Sequence, residues 1–193
     1  MNNPHFFKKK IFDLFLCTIL IVLLFLPFIF LFIMHKIFYQ DSFIFWSKRI
    51  GFNNSVFLMP KIRTMNKNTP DLATHLMTDQ HNYITKLGSF LRKTSIDEIP
   101  QLWSILNGDM SFVGPRPALH NQYDLINLRN AHNIDKLIPG ITGLAQIRGR
   151  DLLTIEEKVQ IESKYLKEKS FWLDVKIILK TFIIIFYKNN IKH

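Results

Sequence analysis

The chain has a single cysteine, Cys17, and it lies inside an apolar run. No disulfide framework can form, which suits a reducing compartment. Seven histidines are present, but at no spacing that would gather them on one metal ion, so a zinc site is excluded. Neither a Walker phosphate loop nor a dinucleotide G-x-G-x-x-G occurs, and without them the glycines alone are weak evidence of ligand binding. No internal repeat or low-complexity stretch interrupts the chain. Acids are scarce: 15 Asp and Glu stand against 25 Lys and Arg, a formal charge of +10. That excess suits nucleic acid, anionic lipid or phosphorylated substrates alike, so charge does not choose among them.

Long apolar sequence, by contrast, is present. Lys8, Lys9 and Lys10 precede the run from Leu14 to Met34, which only Thr18 and Pro27 break chemically. At 1.5 Å per residue such a run reaches roughly 30 Å, the thickness of a bilayer's hydrocarbon. No small-residue cleavage site follows it, and His35-Lys36 comes next, so it does not read as a signal peptide. Bulky Leu16 before Cys17 argues against a lipoprotein site. Basic residues flank both ends, with Lys36, Lys48 and Arg49 after the run, and the positive-inside tendency draws both ends to the cytoplasmic face. Pro27 removes one backbone hydrogen bond and displaces the carbonyl of Leu23, giving the helix a place to break and return. Spanning helices tolerate proline as well, so on physical grounds a dip and a span both stay open. Asp13 reads as a salt bridge or cap at the interface.

Beyond the run, Phe43–Trp46 and Val56–Met59 are short apolar-aromatic segments separated by Gly51 and Asn53-Asn54, the pattern of a hairpin or two extended segments. Thr69-Pro70 and the polar stretch to Asn82 read as a mobile loop with a short helix. Ile84, Leu87, Gly88, Phe90 and Leu91 have helical spacing and lead into Arg92. A further helix is expected from His120 to Ala131. Pro139, Gly140 and Gly143 make a turn-rich loop ahead of Gln146, Arg148 and Arg150, arginines suited to a diphosphate or nucleotide. Thr154 and Glu157 form a capping box opening a charged, solvated helix to about Lys169. The last segment, about 171–187, places Trp172, Val175, Leu179, Phe182 and Phe186 on one stripe. Asp174, Lys176 and Lys180 interrupt it too often for a span, so it reads as an amphipathic helix in the membrane interface, with packing into a soluble core as the alternative. The expected fold is α+β and mostly helical: residues 1–40 membrane-associated, residues 41–193 a small cytoplasmic domain.

One stretch concentrates the chemistry. Asp97 and Glu98 stand side by side ahead of Ile99, Leu102, Trp103 and Leu106, which share one helical face, and Asn107-Gly108 supplies a stop. Ser95 with Glu98 resembles a capping box, but Pro100 would then sit a full turn in; Asp97 as N-cap puts Pro100 where its missing N–H is harmless. Both acids would then lie at the positive end of a helix dipole, ionised and hospitable to phosphate. Capping and surface decoration are the ordinary alternative. Arg116 shifts the balance, because Pro115 and Pro117 stiffen it from both sides, as suits a planar fork held against phosphate.

The stretch Leu91–Pro117 (LRKTSIDEIPQLWSILNGDMSFVGPRP) resembles the signature of the bacterial sugar transferases, the monotopic phosphoglycosyl transferases. Lys61-Ile-Arg-Thr-Met65, Pro139-Gly-Ile-Thr-Gly-Leu-Ala-Gln146, Gly149-Arg150 and Trp172-Leu-Asp174 continue the resemblance in the family's order. It implies a monotopic protein whose N-terminal helix is re-entrant, on the cytoplasmic face of the bacterial inner membrane. It also implies transfer of sugar-1-phosphate from a UDP-sugar to undecaprenyl phosphate with Mg²⁺. Asp97 would be the nucleophile, with a near-normal pKa, and Glu98 would share the metal or position a proton. Arg92, Arg116, Lys61, Arg63, Gln146, Arg148 and Arg150 would hold substrate phosphates. Leu26 stands where members often carry serine before the proline, and Pro60 and Ile62 replace aromatic residues. The likeness is to small members, which lean toward N-acetylated or diacetamido sugars. Lipid, a second copy or a downstream glycosyltransferase are the expected partners. A membrane-tethered nucleic-acid binder and a non-catalytic scaffold are the competing readings; neither accounts for the paired acids beside the Pro-Arg-Pro clamp, and no nucleic acid is expected.

Overall fold

The computed structural model describes residues 4–39, 41–66, 69, 83–149 and 152–188. It is mostly helical, with two small sheets. Helix α1 (Pro4–Phe38) comprises 35 residues and carries Pro27 within it. The helix runs on through Pro27, the residue at which a break is expected. A proline removes one hydrogen bond from the ladder, and the remaining turns hold the element together. By length and composition α1 suffices to cross a membrane.

A hairpin follows, β1 (Ile44–Ile50) against β2 (Val56–Ile62), antiparallel with Arg49 opposite Phe57 and Phe45 opposite Lys61. Its turn is closed by Gly51 N–H donating to the Ser55 carbonyl at 2.7 Å. Asn53 and Asn54 take the left-handed conformation there, which asparagine tolerates better than most residues. Helix α2 (Lys86–Thr94) is capped by the Thr85 hydroxyl on the Gly88 N–H, and it ends where Ser95 turns left-handed. A 3₁₀ turn (Ile96–Gln101) runs into the short helix α3 (Leu102–Leu106), which Gly108 ends with a positive φ, as expected. Strand β3 (Ser111–Val113) pairs in parallel with β4 (Gly140–Thr142). Between them lie helix α4 (Tyr123–Ala131) and a 3₁₀ turn (Ile134–Lys136). The chain closes with α5 (Ile155–Glu168), opened by the Thr154–Glu157 capping box, and α6 (Phe171–Lys188).

Helix α5 departs from the solvated helix expected: Val159, Glu162 and Tyr165 are buried. Glu162 can be buried because Arg129 donates to both of its oxygens, at 2.6 and 2.8 Å. Asp174, read as an interruption of the α6 stripe, is also buried. It accepts from Lys9 Nζ at 2.8 Å and from the Tyr165 hydroxyl at 2.6 Å. Of the stripe, Trp172 is 72 % exposed and Leu179 and Phe182 are also open, while Val175 is half-buried; Ile183, off the stripe, is open as well. The side chain of Phe186 and the stretch from Pro70 to Asn82 lie outside what is described.

Both ends of α1 touch one body. Near its start, Phe12 meets Phe171 edge-on, Asp13 accepts from the Ser111 hydroxyl at 2.7 Å, and Cys17 Sγ donates to the Leu102 carbonyl. Near its end, Phe28, Phe32 and His35 pack around Phe43. Between these contacts, Val22, Leu23, Phe25 and Leu26 stay exposed. The main core joins Cys17 to Leu102, Phe112, Val113, Val159 and Ile177.

Candidate active site

Asp97 and Glu98 stand in the first turn of a helical segment, but that turn is 3₁₀ and its cap is left-handed Ser95, not Asp97. Pro100 accounts for the difference. Its ring and missing N–H oppose an α-turn across it, so the α-helix proper starts only at Leu102. The dipole expected to hold the acids ionised is thereby weakened, and cations take its place.

Four elements deliver them. Strand β2 packs on the acid-bearing turn, and Lys61 near its end donates to Glu98 Oε1 at 3.2 Å. Arg116 Nη2 donates to the same oxygen at 2.9 Å. The Glu98 side chain is only 11 % exposed and Lys61 16 %, so that pair is largely desolvated and stronger than a surface pair; Arg116, at 33 %, is more open to water. Arg92, on α2, donates through Nε to the Thr64 hydroxyl at 2.9 Å. Gly88 makes that approach possible: a Cβ there would collide with the Thr64 backbone carbonyl. Arg49, on β1, donates to Ser47 Oγ at 3.1 Å and to the Pro117 carbonyl at 3.2 Å, beside Arg116.

Asp97 is 7 % exposed. Burial pushes its pKa above the ordinary carboxylate range; Lys61 draws it down, Glu98 pushes it up, and Arg92 and Arg116 draw it down again. The near-normal value expected of an exposed acid therefore does not hold: this is a desolvated carboxylate among cations. Burial lowers the Lys61 amine to about 8, with Glu98 and Asp97 opposing the shift and Arg116 and Arg49 adding to it. Burial also lowers Arg92, against the pull of Asp97. A buried acid in such a setting, beside a second acid, is a site candidate.

The remaining candidates lie elsewhere. Arg63 donates through Nε to the Ser42 carbonyl and lies over the Phe45 ring at 5.6 Å, not against the acids. Gln146 reaches the Gly114 carbonyl at 3.4 Å, next to the Pro-Arg-Pro segment, with its Oε1 buried and without a hydrogen-bond partner. Arg148 is exposed, and Arg150 lies outside the described residues. In the sequence Arg49 reads only as one of the basic flanks of the membrane run. Its tie to Pro117 depends on a contact 68 residues away, for which the sequence carries no local signal.

The family model described as bacterial sugar transferase matches residues 4–188. The chain is 38 % identical over 156 residues to a galactosyl transferase, CpsE, of Streptococcus agalactiae, covering 74 % of this chain and 34 % of the relative. It is 37 % identical over 179 residues to an uncharacterized sugar transferase, EpsL, of Bacillus subtilis, covering 90 % of this chain and 84 % of that protein. Against the undecaprenyl-phosphate galactose phosphotransferase of Salmonella typhimurium, identity is 31 % over 194 residues, covering 91 % of this chain and 40 % of the relative. EpsL apart, the chain spans between a third and two fifths of the length of these relatives. With a match that runs from the apolar helix through the acid-bearing turn to α6, the chain belongs to the bacterial sugar transferase family.

Proposed function

We propose that the protein is a phosphoglycosyl transferase that moves sugar-1-phosphate from a UDP-sugar to undecaprenyl phosphate, yielding a polyprenyl-diphosphate sugar and UMP. The observation that carries this reading is the burial of Asp97 where Lys61, Arg92 and Arg116 all act on its charge. Relatives named as UDP-glucose:undecaprenyl-phosphate glucose-1-phosphate transferase, in Escherichia coli and Xanthomonas campestris, support it. Donor and acceptor are both anionic, so a carboxylate can approach phosphorus only where fixed cations offset the repulsion.

In the proposed chemistry an Asp97 oxygen attacks the β-phosphorus of the donor. A bond forms from the carboxylate to phosphorus, the bond from that phosphorus to the bridging oxygen breaks, and UMP leaves with the electron pair. A phosphate oxygen of undecaprenyl phosphate then attacks the same phosphorus and regenerates the carboxylate. Lys61 and Arg116, already aimed at an anion in Glu98, turn to the donor phosphates, and Arg92 steadies the developing charge. Among the described residues no three acids, histidines or cysteines converge, so there is no protein cage for a metal. Two carboxylates completed by substrate phosphates and water are nonetheless a common holder for Mg²⁺. On this reading Asp97 and Glu98 hold it with the donor, where it would neutralise phosphoryl charge.

The same reading puts α1 in the cytoplasmic membrane of a bacterium, entering and leaving by its cytoplasmic face. The docking of both ends of α1 on one domain supports it. So do the apolar side chains left exposed along α1, on α3 (Trp103, Leu106) and on α6. The test is UMP release from a panel of UDP-sugars (glucose, galactose, N-acetylated and diacetamido) with undecaprenyl phosphate and Mg²⁺ in nanodiscs. Asp97→Asn abolishes release while the variant still fractionates with membranes; substantial turnover in it removes Asp97 from the nucleophile's role.

A further inference from the structure

The segment carrying Arg116 cannot be held as strands usually are. Pro115 and Pro117 have no N–H to donate, so their carbonyls are the backbone handles on either side of the arginine. Both are used. The Pro115 carbonyl accepts from the Gly140 N–H at 2.9 Å, tying the segment to β4. The Pro117 carbonyl accepts from Arg49 Nη1 at 3.2 Å, while Ser47 Oγ accepts from Arg49 Nε at 3.1 Å and fixes the direction of the guanidinium. Just beyond, Ile50 N–H donates to the Ala118 carbonyl at 3.0 Å and Arg49 bridges Leu119, so the chain after Pro117 lies along the edge of β1. The Arg49 side chain thus adds a tie at Pro117, between the backbone bonds made at Pro115 and at Ala118.

We infer that Arg49 is a positioning residue for the transfer reaction: by holding the Pro117 carbonyl it sets Arg116 against Glu98 and hence against the donor phosphates. This rests on the function proposed above. Arg49 also carries positive charge close enough to be felt at Lys61, where it adds to the lowering of the amine's pKa. Lysine in its place keeps the charge but not the two-pronged bond to Ser47 and Pro117, because an ammonium is a point donor without a planar fork.

The experiment is a double-mutant cycle on the full chain in nanodiscs, with hydrogen–deuterium exchange of the same preparations. Arg49→Met lowers kcat/KM for the UDP-sugar about tenfold, and Arg49→Lys restores part of it. Arg49→Met combined with Arg116→Ala is no slower than Arg116→Ala alone, since a residue acting through another adds nothing once that other is gone. Exchange rises in the peptide spanning Gly114–Leu119 of Arg49→Met, with α2 and α5 unchanged. Multiplicative losses in the cycle, an unaltered kcat/KM, or a fall in protection across the whole domain each overturn the inference. If the wild type releases no UMP from any donor, the functional reading fails, and exchange at Gly114–Leu119 still decides whether Arg49 holds the segment.

Discussion

Lys61 makes the site's dependence on pH calculable. A lysine carries its charge below its pKa, and burial brings this one to about 8. The ammonium that pairs with Glu98 at 3.2 Å is therefore lost as pH rises through about 8, well short of the ordinary value of 10.5. If only the charged form assists the donor, UMP formation falls to about a half at the pKa and about a tenth one pH unit above it. Replacing Lys61 with arginine removes that limb, since a guanidinium stays protonated beyond about pH 12. The absolute rate of Lys61→Arg drops, because the fork does not fit where an amine did. Its rate one unit above pH 8, relative to neutral pH, rises toward unity, a change of about tenfold in that ratio. On the acid side the sign is opposite. Asp97 is raised above the ordinary carboxylate range, so its ionised form is lost at a higher pH than an exposed aspartate's. The measurement is the first UMP burst without acceptor, across pH 6 to 10 at fixed ionic strength, which keeps the acceptor's own titration out of the profile. An alkaline limb that persists unchanged in Lys61→Arg, or a wild-type profile flat throughout, refutes the assignment.

Three other expectations follow from the packing. Glu162→Gln breaks a bidentate pair whose side chains are 11 % and 4 % exposed, leaving the Arg129 guanidinium without its counter-charge. Denaturant or thermal unfolding should show a loss of about 3–5 kcal/mol, with near-normal UMP release in the fraction that stays folded. Gly88→Ala drives a methyl group into the Thr64 carbonyl; α2 must shift, at about 1–3 kcal/mol, and Arg92 moves off Thr64. Its kcat/KM falls at temperatures where melting curves show it fully folded. Finally, single-tryptophan variants retaining Trp103 or Trp172, which are 56 % and 72 % exposed, are quenched by brominated lipids if α3 and α6 face the bilayer. Emission untouched by the quencher removes that face from the membrane.

The sequence revealed features whose causes are local. The Thr154–Glu157 capping box, the Gly108 stop and the asparagine turn of the hairpin each depend on neighbours within a few residues, and each stands as expected. Asp97, Glu98 and Arg116 were legible because acids beside a proline-locked arginine are an odd thing for a surface to carry. What stays hidden in the sequence are partners far along the chain. Lys9 and Arg49 read as membrane-flanking charge, and in addition one pairs with Asp174, 165 residues away, and the other holds Pro117. Periodicity marks which face of a helix is polar but cannot say whether that face finds a counter-charge, so the helix that buries Glu162 reads as solvated and Asp174 as a mere interruption of the α6 stripe. The parallel pairing of β3 with β4 was invisible because each strand has three residues, too few for alternation to register.

These long-range pairs bear on how an apolar helix can take part in phosphate chemistry. Asp13 of α1 holds Ser111 at the start of β3, the strand that leads to Arg116. Cys17, one turn further, meets the Leu102 carbonyl where the acid-bearing turn passes into α3. The C-terminal end of α1 packs on Phe43, in a cluster with Leu91 of α2 beside Arg92. From its first half the helix thus touches α3, into which the acid-bearing turn runs, and β3, which leads to Arg116, and near its end it shares an apolar cluster with Leu91 of α2. A straight crossing would carry one end about 30 Å from a domain on the other side of the bilayer, and one set of these contacts would be lost. On the proposed reading the helix enters and leaves by one face, and both sets are kept. In that arrangement lipid depth and site geometry are linked through the same side chains, so a polyprenyl acceptor and a soluble donor can meet the same carboxylate.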